Sequence, residues 1–218
     1  MAFNQFDAIV YINLSHRHDR NKLLLEELNR LEVNQDKIHR FEAVHDFLNG
    51  HRGCAQSHIK VLELAKEKRW KNVLILEDDV AFTQSKEEIE HTISSFLKAF
   101  ENKWDVFFLG ANIFEYEATD YPDFKKVLCA QCAHAYVVNS DYIDLLKNCF
   151  HEAYLSMLED DLLYGFTSKA IDQQWKSLQR QGRWYIGRLL GQQRRSYSDI
   201  LHITRERYHK DMFSKKDS

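Results

Sequence analysis

Apolar residues recur along the first half of the chain in two periods, which predict strands and helices in turn. Residues 7–14 (DAIVYINL) form a β-branched apolar run that predicts a strand. Residues 19–32 then place leucines at helical spacing, and Asp19 is the expected N-cap of that helix. A second strand over residues 38–44 and a second helix over about residues 53–68 follow. Strand and helix therefore alternate from the start of the chain.

The alternation continues through a run that is apolar on both faces. Residues 73–76 (VLIL) have the composition of a central strand in a parallel sheet that helices cover on both sides. An amphipathic helix over residues 87–100 and a buried strand over residues 105–109 come next, and we expect Gly110 to end that strand. The pattern predicts an α/β fold with a doubly wound, mainly parallel sheet flanked by helices, whose ligands bind beyond the carboxyl ends of the strands.

The second half of the chain has a less regular pattern. We expect a strand over residues 133–138, a helix over 141–150, a helix or lid over 156–169 and a last strand over 183–186. No internal repeat and no linker rich in proline or glycine interrupts the sequence. The 218 residues are therefore predicted to form one continuous domain.

Composition supports a protein that folds around a hydrophobic core. Hydrophobic residues make up 44% of the chain, and no run approaches the ~20 apolar residues that a membrane-spanning helix needs. The four cysteines are too few and too unevenly placed for a disulfide framework, so we expect reduced thiols in a cytoplasmic protein.

The charge is distributed unevenly. Residues 176–218 contain 11 Lys or Arg and 4 Asp or Glu, a net charge of +7, whereas the residues before them carry −10. A basic tail from about residue 201 favours peripheral contact with phosphate groups or an anionic membrane surface. A solvated terminal helix explains the same charges equally well.

Three acidic residues, Glu77, Asp78 and Asp79, end the predicted central strand. Adjacent carboxylates repel one another, and a bound divalent cation or a raised carboxyl pKa relieves the repulsion. Oxygen ligands of this kind suit Mg²⁺ or Mn²⁺ that bridges to substrate phosphates. The alternative is an exposed acidic turn that caps the next helix.

Two polar residues, Ser57 and His58, interrupt the apolar face of the predicted second helix. They lie near its expected start, where free backbone N–H groups favour an anion. A single histidine on an apolar face is often a hydrogen-bonded core residue instead.

A second polar group, Arg17, Asp19 and Arg20, follows the first strand. Arginine can pair with a carboxylate or a phosphate there. The alternative is that Asp19 only caps the helix and the arginines are solvated.

Several short motifs follow one another in a fixed order. They are Asn13-Leu14 with Arg17, Asp19 and Arg20; Gly53-Cys54 with Ser57-His58; Leu76-Glu77-Asp78-Asp79-Val80; Trp104-Asp105 with Gly110; His134-Ala135-Tyr136; Asp172; and Ser198-Asp199-Ile200. Together they resemble the motifs of glycosyltransferase family 25 over residues 9 to about 200. Each motif alone is weak, but their order and spacing are highly specific.

The resemblance implies a fold similar to the GT-A type and an inverting transfer from a UDP-sugar. The family comprises bacterial lipopolysaccharide sugar transferases and collagen hydroxylysine galactosyltransferases. We therefore expect a hexose, commonly galactose, to pass from the nucleotide-sugar donor to a hydroxyl of a glycan or of a hydroxylysine-type protein acceptor. The implied cofactor is Mn²⁺ or Mg²⁺, held by the acidic motif. Because the triplet ends the central strand, we expect Asp79 to be a direct ligand and Asp78 or Glu77 to assist it or to hold the donor ribose.

The resemblance also implies roles for other residues. Asp172 is the expected catalytic base, since it follows the strand and helix after the His-Ala-Tyr motif. The residues expected to bind the donor are Asn13, Arg17, Arg20, Ser57, His58, Glu77, Asp78, Ser198 and Asp199.

The sequence departs from the family pattern at two places. Residues 49–53 (NGHRG) lack the acidic residue that usually precedes the cysteine, which bears on donor choice or acceptor entry. Residues 156–169 form extra length and contain a second acidic cluster, Glu159, Asp160 and Asp161, which competes with Asp172 for the role of base.

Other functions explain single features of the sequence. Cys129 and Cys132 with His134 could suggest zinc, but a structural zinc site needs four ligands and buried thiols are the simpler interpretation. Nothing resembles a nucleic-acid-binding module, so no nucleic-acid partner is expected. The alternatives to a glycosyltransferase are a metal-dependent nucleotidyltransferase or nuclease that uses the same acidic cluster, and a non-catalytic carbohydrate-binding protein of the same fold.

Overall fold

Strands and helices alternate through residue 77, as the hydrophobic pattern predicts, and a short additional strand then precedes the helix that ends at residue 100. The computed structural model describes residues 2–101, 103–159 and 166–204. The strands are β1 (Ala8–Asn13), β2 (Ile38–Glu42), β3 (Asn72–Glu77), β4 (Val80–Phe82), β5 (Val106–Ala118), β6 (Lys125–Asn139), β7 (Trp184–Ile186), β8 (Gly191–Gln193), β9 (Tyr197–Ser198) and β10 (Ile203–Thr204). The α-helices are α1 (His18–Arg30), α2 (Gly50–Glu67), α3 (Lys86–Phe100), α4 (Ile143–Ser156), α5 (Ile171–Gln174) and α6 (Lys176–Gln179). Short 3-10 helices cover Ala2–Gln5, Gln35–Lys37 and Ser140–Tyr142.

Six strands form the main sheet, in the order β2, β1, β3, β6, β5, β7. β1 pairs in parallel with β2 and β3, and β7 pairs in parallel with β5. β6 runs antiparallel between β3 and β5, so five of the six strands point the same way. The prediction of a mainly parallel α/β sheet flanked by helices is confirmed, and the reversed strand in the middle of the sheet is not predicted by the sequence pattern.

Helices cover both faces of this sheet. Val73 and Ile75 of β3 pack in one core with residues of α2 and α4. Leu74 and Leu76 pack in a second core, on the opposite face, with residues of α1 and α3. All four side chains are fully buried, which is why VLIL shows no alternation of apolar and polar residues.

The strand after α3 is longer than predicted. Gly110 lies within β5, which continues to Ala118, and β6 is likewise longer than residues 133–138. A Cβ at Gly110 would lie 2.5 Å from both the Gly191 carbonyl oxygen and His134 Nε2. The glycine therefore permits close packing of β8 against β5 and does not end the strand.

The first helix begins without a side-chain cap. Arg17 is its N-cap residue, so the expectation that Asp19 caps the helix is wrong. Asp19 instead accepts hydrogen bonds from Arg17 Nε and Nη2, at 3.0 and 2.9 Å. These bonds lower the pKa of the Asp19 carboxyl to about 2.

The second helix begins at Gly50, three residues before the predicted start. The Asn49 side chain caps it by accepting a hydrogen bond from the Arg52 backbone N–H. Ser57 and His58 therefore lie beyond the first helical turn, so the free N–H groups of the helix start are not at these two residues.

Two expectations for the second half are confirmed by the described residues, and two others concern segments that lie partly outside them. The expected strand over residues 183–186 is confirmed as β7, and the expected helix over 141–150 is confirmed as α4 with the preceding 3-10 turn. The expected helix or lid over 156–169 includes Asp160 and Asp161, which lie outside the described residues. Residues 205–218 of the basic tail also lie outside them, and its contact with an anionic surface stays a prediction, as does the single domain.

We expect Gly53→Ala to destabilise the protein although alanine favours helix. A Cβ at Gly53 would lie 2.6 Å from the Val44 carbonyl oxygen and 3.1 Å from the Asp46 backbone nitrogen, so α2 and the loop after β2 would have to separate. The expected cost is about 1–3 kcal/mol in the free energy of unfolding, measured by chemical denaturation.

Gly191→Ala is the matched control for this substitution. A Cβ there makes only ordinary contacts, the nearest at 3.4 Å to Val80 Cγ1. We expect a change in unfolding free energy within about 0.5 kcal/mol. Equal stability of the Gly53 and Gly191 variants would contradict the close approach of α2 to this loop.

Candidate active site

A pocket opens beyond the carboxyl ends of the three parallel strands β1, β2 and β3. Loops after these strands form one wall, the first half of α2 forms a second, and segments from the distant second half of the chain close it. The lining residues are Ile12, Leu14, Arg20, Ala43, Val44, His45, Asp46, Gly50, His51, Cys54, Ser57, His58, Glu77, Asp78, Asp79, Cys132, Ala133, Ala170, Ile171, Asp172, Gln193, Ser198, Asp199 and Ile200. The pocket has the location that ligand sites take in open α/β sheets.

The three side chains of the acidic triplet at the end of β3 do not all face the same side of the pocket. Glu77 Oε2 and Asp79 Oδ2 lie 3.3 and 3.4 Å from the same atom, Nε2 of Gln193. Glu77 and Asp79 therefore face the same side of the pocket, next to β8.

Asp78 is held on the other side by two polar partners. Its Oδ2 accepts a hydrogen bond from Asn13 Nδ2, and its Oδ1 accepts one from Arg20 Nη1, both at 2.8 Å. Burial raises the pKa of the Asp78 carboxyl, and the nearby Arg20 charge opposes that shift. Asp78 thus forms a buried ion pair, which anchors the start of the acidic turn to β1 and α1.

Two arginines of the first motif tie a distant segment to the acidic turn. Arg20 donates to the Tyr197 carbonyl oxygen at 2.7 Å and to Ser196 Oγ at 2.9 Å. Arg17 pairs with the Asp199 carboxylate. The Ser-Asp motif at 198–199 is therefore held against the pocket by side chains from the start of the chain.

Ser57 and His58 both lie in the wall that α2 forms, and each is 1% exposed. The Ser57 hydroxyl donates to the Gly53 carbonyl oxygen and accepts from the Val44 N–H, both at 2.8 Å. His58 Nδ1 lies 2.9 Å from the Tyr136 hydroxyl. Ser57 thus fastens α2 to the loop after β2, and His58 spans the wall between a buried tyrosine and the pocket.

We expect His58→Ala to lower stability as well as donor affinity. The change removes a buried ring and leaves the Tyr136 hydroxyl without its 2.9 Å partner. The expected loss is about 2–4 kcal/mol in the free energy of unfolding, with weaker UDP-sugar binding measured calorimetrically on the folded variant. His91→Ala, at an exposed position of α3, is the control and should match the wild type. Wild-type stability and donor affinity in His58→Ala would contradict a place in this wall.

Asp172 lies in the first turn of α5 and faces the pocket. Its Oδ2 accepts a hydrogen bond from the Cys132 backbone N–H at 2.9 Å. Cys132 has a φ of 72°, an uncommon value for a residue other than glycine, at an irregular part of the β5–β6 pairing. The irregular backbone of β6 thus positions the Asp172 carboxylate.

Nine of the eleven residues predicted for the site line this one pocket. Asn13 and Arg17 do not; they stand behind its wall, where they hold Asp78 and Asp199. Gln193 lines the pocket without any signal in the sequence, because β8 is brought there by its long-range pairing with β4 and its packing against β5. Cys54 also lines it and is not among the predicted residues, although it shares a helix face with His58. The roles of all these residues in catalysis and binding stay predictions.

Carboxylates dominate the charged lining that the structure describes. They are Asp46, Glu77, Asp78, Asp79, Asp172 and Asp199, against the single guanidinium of Arg20. Arg52, Arg20 and Arg17 pair with Asp46, Asp78 and Asp199 and offset part of this negative charge. A cation that accompanied an anionic ligand such as a diphosphate would offset more of it.

The carboxylates of Glu77 and Asp79 fit a hard divalent cation. Mg²⁺ and Mn²⁺ are bound through one or two carboxylates together with substrate phosphates and water. Asp79 also lies 3.8 Å from Arg20 Nη1. Asp78, predicted as a second ligand, already uses both oxygens in hydrogen bonds to Asn13 and Arg20.

The Cys129, Cys132 and His134 motif does not gather into a metal site. Within residues 2–101, 103–159 and 166–204, the one group of three such side chains with ligand atoms close together is Cys54, His58 and Glu77. Cys54, Cys129, Cys132 and Cys149 are not joined in disulfides, in agreement with the expected reduced thiols. No helix in these ranges has the length and apolar character needed to cross a membrane.

Three solved structures resemble this fold. A glycosyltransferase involved in the glycosylation of the major capsid of PBCV-1 matches with a TM-score of 0.51 and 13% identity, over 82% of this chain and 80% of that one. A197 from STIV matches with a TM-score of 0.47 and 11% identity, over 92% and 97%. Mannose-1-phosphate geranyltransferase from Thermus thermophilus matches with a TM-score of 0.46 and 11% identity, over 88% and 75%. No curated protein matches the sequence.

The sheet and the pocket at its carboxyl edge define an α/β protein of GT-A-like fold. Residues 1–137 match the sequence pattern described as glycosyltransferase family 25 (LPS biosynthesis protein). The chain belongs to this family and is a glycosyltransferase.

Proposed function

We propose that this glycosyltransferase transfers a hexose, galactose in the first instance, from a UDP-sugar to a hydroxyl of a glycan or of a hydroxylysine-type acceptor, with inversion and with Mn²⁺ or Mg²⁺. Membership of family 25 supports the nucleotide-sugar donor and the glycan acceptor. The observation that supports the metal dependence is the pair of carboxylates, Glu77 and Asp79, on one side of the pocket, because Mg²⁺ and Mn²⁺ are bound through one or two carboxylates together with substrate phosphates.

The three residues of the acidic turn have different roles in binding the cation. Glu77 and Asp79 hold the cation, since both carboxylates face the Gln193 side of the pocket. When bound, the cation neutralises the charge that develops on the leaving UDP diphosphate. Asp78 keeps the turn in place through Asn13 and Arg20 and leaves the metal coordination to its neighbours.

Asp172 accepts the proton of the acceptor hydroxyl. As that proton leaves, the hydroxyl oxygen forms its bond to the anomeric carbon, and the bond from this carbon to the UDP oxygen breaks on the opposite face. The hydrogen bond from the Cys132 N–H fixes one carboxylate oxygen of Asp172 and orients the other for this task. Inversion at the anomeric carbon follows from a single displacement.

A UDP-release screen tests the proposal. Purified protein is incubated with UDP-galactose, UDP-glucose and the two N-acetylated UDP-sugars, with Mn²⁺ and with a chelator. We expect release from UDP-galactose above the other donors, and loss of release with the chelator. Release that is equal with and without metal would contradict the cation. Release from no donor, with cleavage of a phosphodiester or triphosphate instead, would favour a nucleotidyltransferase or nuclease.

A further inference from the structure

Cys54, His58 and Glu77 bring three different ligand atoms to one point of the pocket wall. Cys54 and His58 are four residues apart on α2 and so share one helix face, while Glu77 ends β3 opposite them. The thiol sulfur, an imidazole nitrogen and a carboxylate oxygen all lie within 4.8 Å of one another. No step of the proposed transfer uses Cys54 or His58 as a metal ligand.

His58 carries the strongest indication of a ligand. The side chain is 1% exposed, and its Nε2 has no hydrogen-bond partner among the described residues. A buried ring nitrogen without a partner is costly unless a ligand satisfies it. Nε2 faces Glu77 Oε1 at 3.6 Å, close to the separation of about 3.3 Å that two ligands of one tetrahedral ion adopt.

The other ring nitrogen has the partner that metal-binding histidines commonly have. Tyr136 Oη lies 2.9 Å from His58 Nδ1. When Nδ1 carries the proton and donates it to this hydroxyl oxygen, the lone pair of Nε2 points at the cluster. The ring is also held by stacking on Tyr136 and by edge contact with Phe150. Its orientation is therefore set before any ion arrives.

The thiol of Cys54 lies among negative charges. Burial, and then the carboxylates of Glu77, Asp172 and Asp79, raise the pKa of this thiol well above its usual value. A cation at the cluster reverses this effect, and the thiol proton passes to solvent as the sulfur binds.

We infer that Cys54, His58 and Glu77 form a site for a borderline transition-metal ion, Zn²⁺, next to the hard cation that Glu77 and Asp79 serve. Glu77 is common to both sites, with Oε1 towards His58 and Oε2 towards the Gln193 side. A mixed sulfur, nitrogen and oxygen set selects zinc over Mg²⁺, Mn²⁺ and Ca²⁺, which prefer oxygen alone. Three protein ligands leave a fourth position, which opens into the pocket because Cys54 and Glu77 line it. The site does not depend on the proposed transfer reaction, and the two are tested separately.

Cobalt(II) is the probe, since it occupies zinc sites and a bound thiolate gives it a charge-transfer absorption band in the near ultraviolet. Metal-free protein is titrated with Co²⁺, and Zn²⁺ is then added. We expect the band to saturate at one equivalent and to disappear with Zn²⁺. A wild-type protein without the band, or with a band that Zn²⁺ does not remove, would overturn the inference.

Variants assign the band to this cluster. Cys54→Ser should abolish it and weaken Zn²⁺ binding by at least about 100-fold, while Glu77→Gln should keep a weakened band and lower the Zn²⁺ affinity by about 10-fold or more. Cys129→Ser is the matched control, because Cys129 is also a half-buried thiol but lies outside the pocket. Asp79→Asn should retain the band, which separates this site from the hard-cation site. A band that survives in Cys54→Ser or depends on Cys129 would assign the metal elsewhere.

Discussion

Asp79→Asn is expected to abolish UDP release while the fold stays intact. The substitution keeps the size of the side chain and removes the charge that faces the pocket beside Glu77 and Gln193. Loss of a cation that stabilises the leaving group costs several kcal/mol, or about 10³-fold in kcat/KM. The measurement is UDP release at saturating Mn²⁺, together with the thermal midpoint of unfolding.

Substitutions of two other aspartates serve as controls for the Asp79→Asn variant. Asp78→Asn should lower the unfolding free energy by about 1–3 kcal/mol, since it weakens a buried pair with Arg20 in which Asp78 is 5% exposed. Asp144→Asn, on an exposed carboxylate that pairs with Lys66, should change neither activity nor stability. If Asp79→Asn releases UDP like the wild type, its assignment as a metal ligand is wrong.

Asp172→Asn is expected to lose transfer while UDP and Mn²⁺ still bind. The asparagine can accept the hydrogen bond from the Cys132 N–H but cannot take a proton from the acceptor. Removal of a general base costs about 10²–10⁴-fold in rate with little change in ground-state binding. The measurements are kcat for transfer and calorimetric affinity for UDP with Mn²⁺.

The second acidic cluster supplies the comparison for this variant. Asp160→Asn and Asp161→Asn should transfer sugar at the wild-type rate if Asp172 is the base. Normal transfer by Asp172→Asn, with loss of transfer in either of the other two, would move the base to the cluster at 159–161. A fall in stability of about 1 kcal/mol with unchanged kcat would instead give Asp172 only a helix-terminal role.

The acidic turn shows how far the sequence could predict the site. The composition of the motif indicated a cation, but it did not indicate which carboxylates would face the pocket. Glu77 ends β3, and Asp78 and Asp79 form the turn before β4, in which Glu77 and Asp79 face Gln193 while Asp78 faces Asn13. The partners on each side come from distant parts of the chain, so the sequence motif alone does not show this arrangement.

Helix and strand boundaries were the weaker part of the prediction. The apolar pattern places the start of α2 three residues late. The helix begins earlier because the Asn49 side chain caps it through a local hydrogen bond, which a pattern of apolar residues does not reveal. The sequence predicts that Gly110 ends a strand because glycine usually marks a turn. In the structure it permits contact with Gly191, which is 81 residues away in the sequence.

The sequence by itself determined the alternation of strands and helices, the doubly covered central strand and the residues from which the site is built. These features follow from local periodicity, since a buried strand needs apolar side chains on both faces wherever it lies in the fold. Only the tertiary structure decided that β6 runs backwards between β3 and β5, that Arg17 and Arg20 hold residues 196–199, and that Cys54 and His58 meet Glu77. These arrangements depend on which distant segments pair and pack together, and no local pattern of residues records that choice.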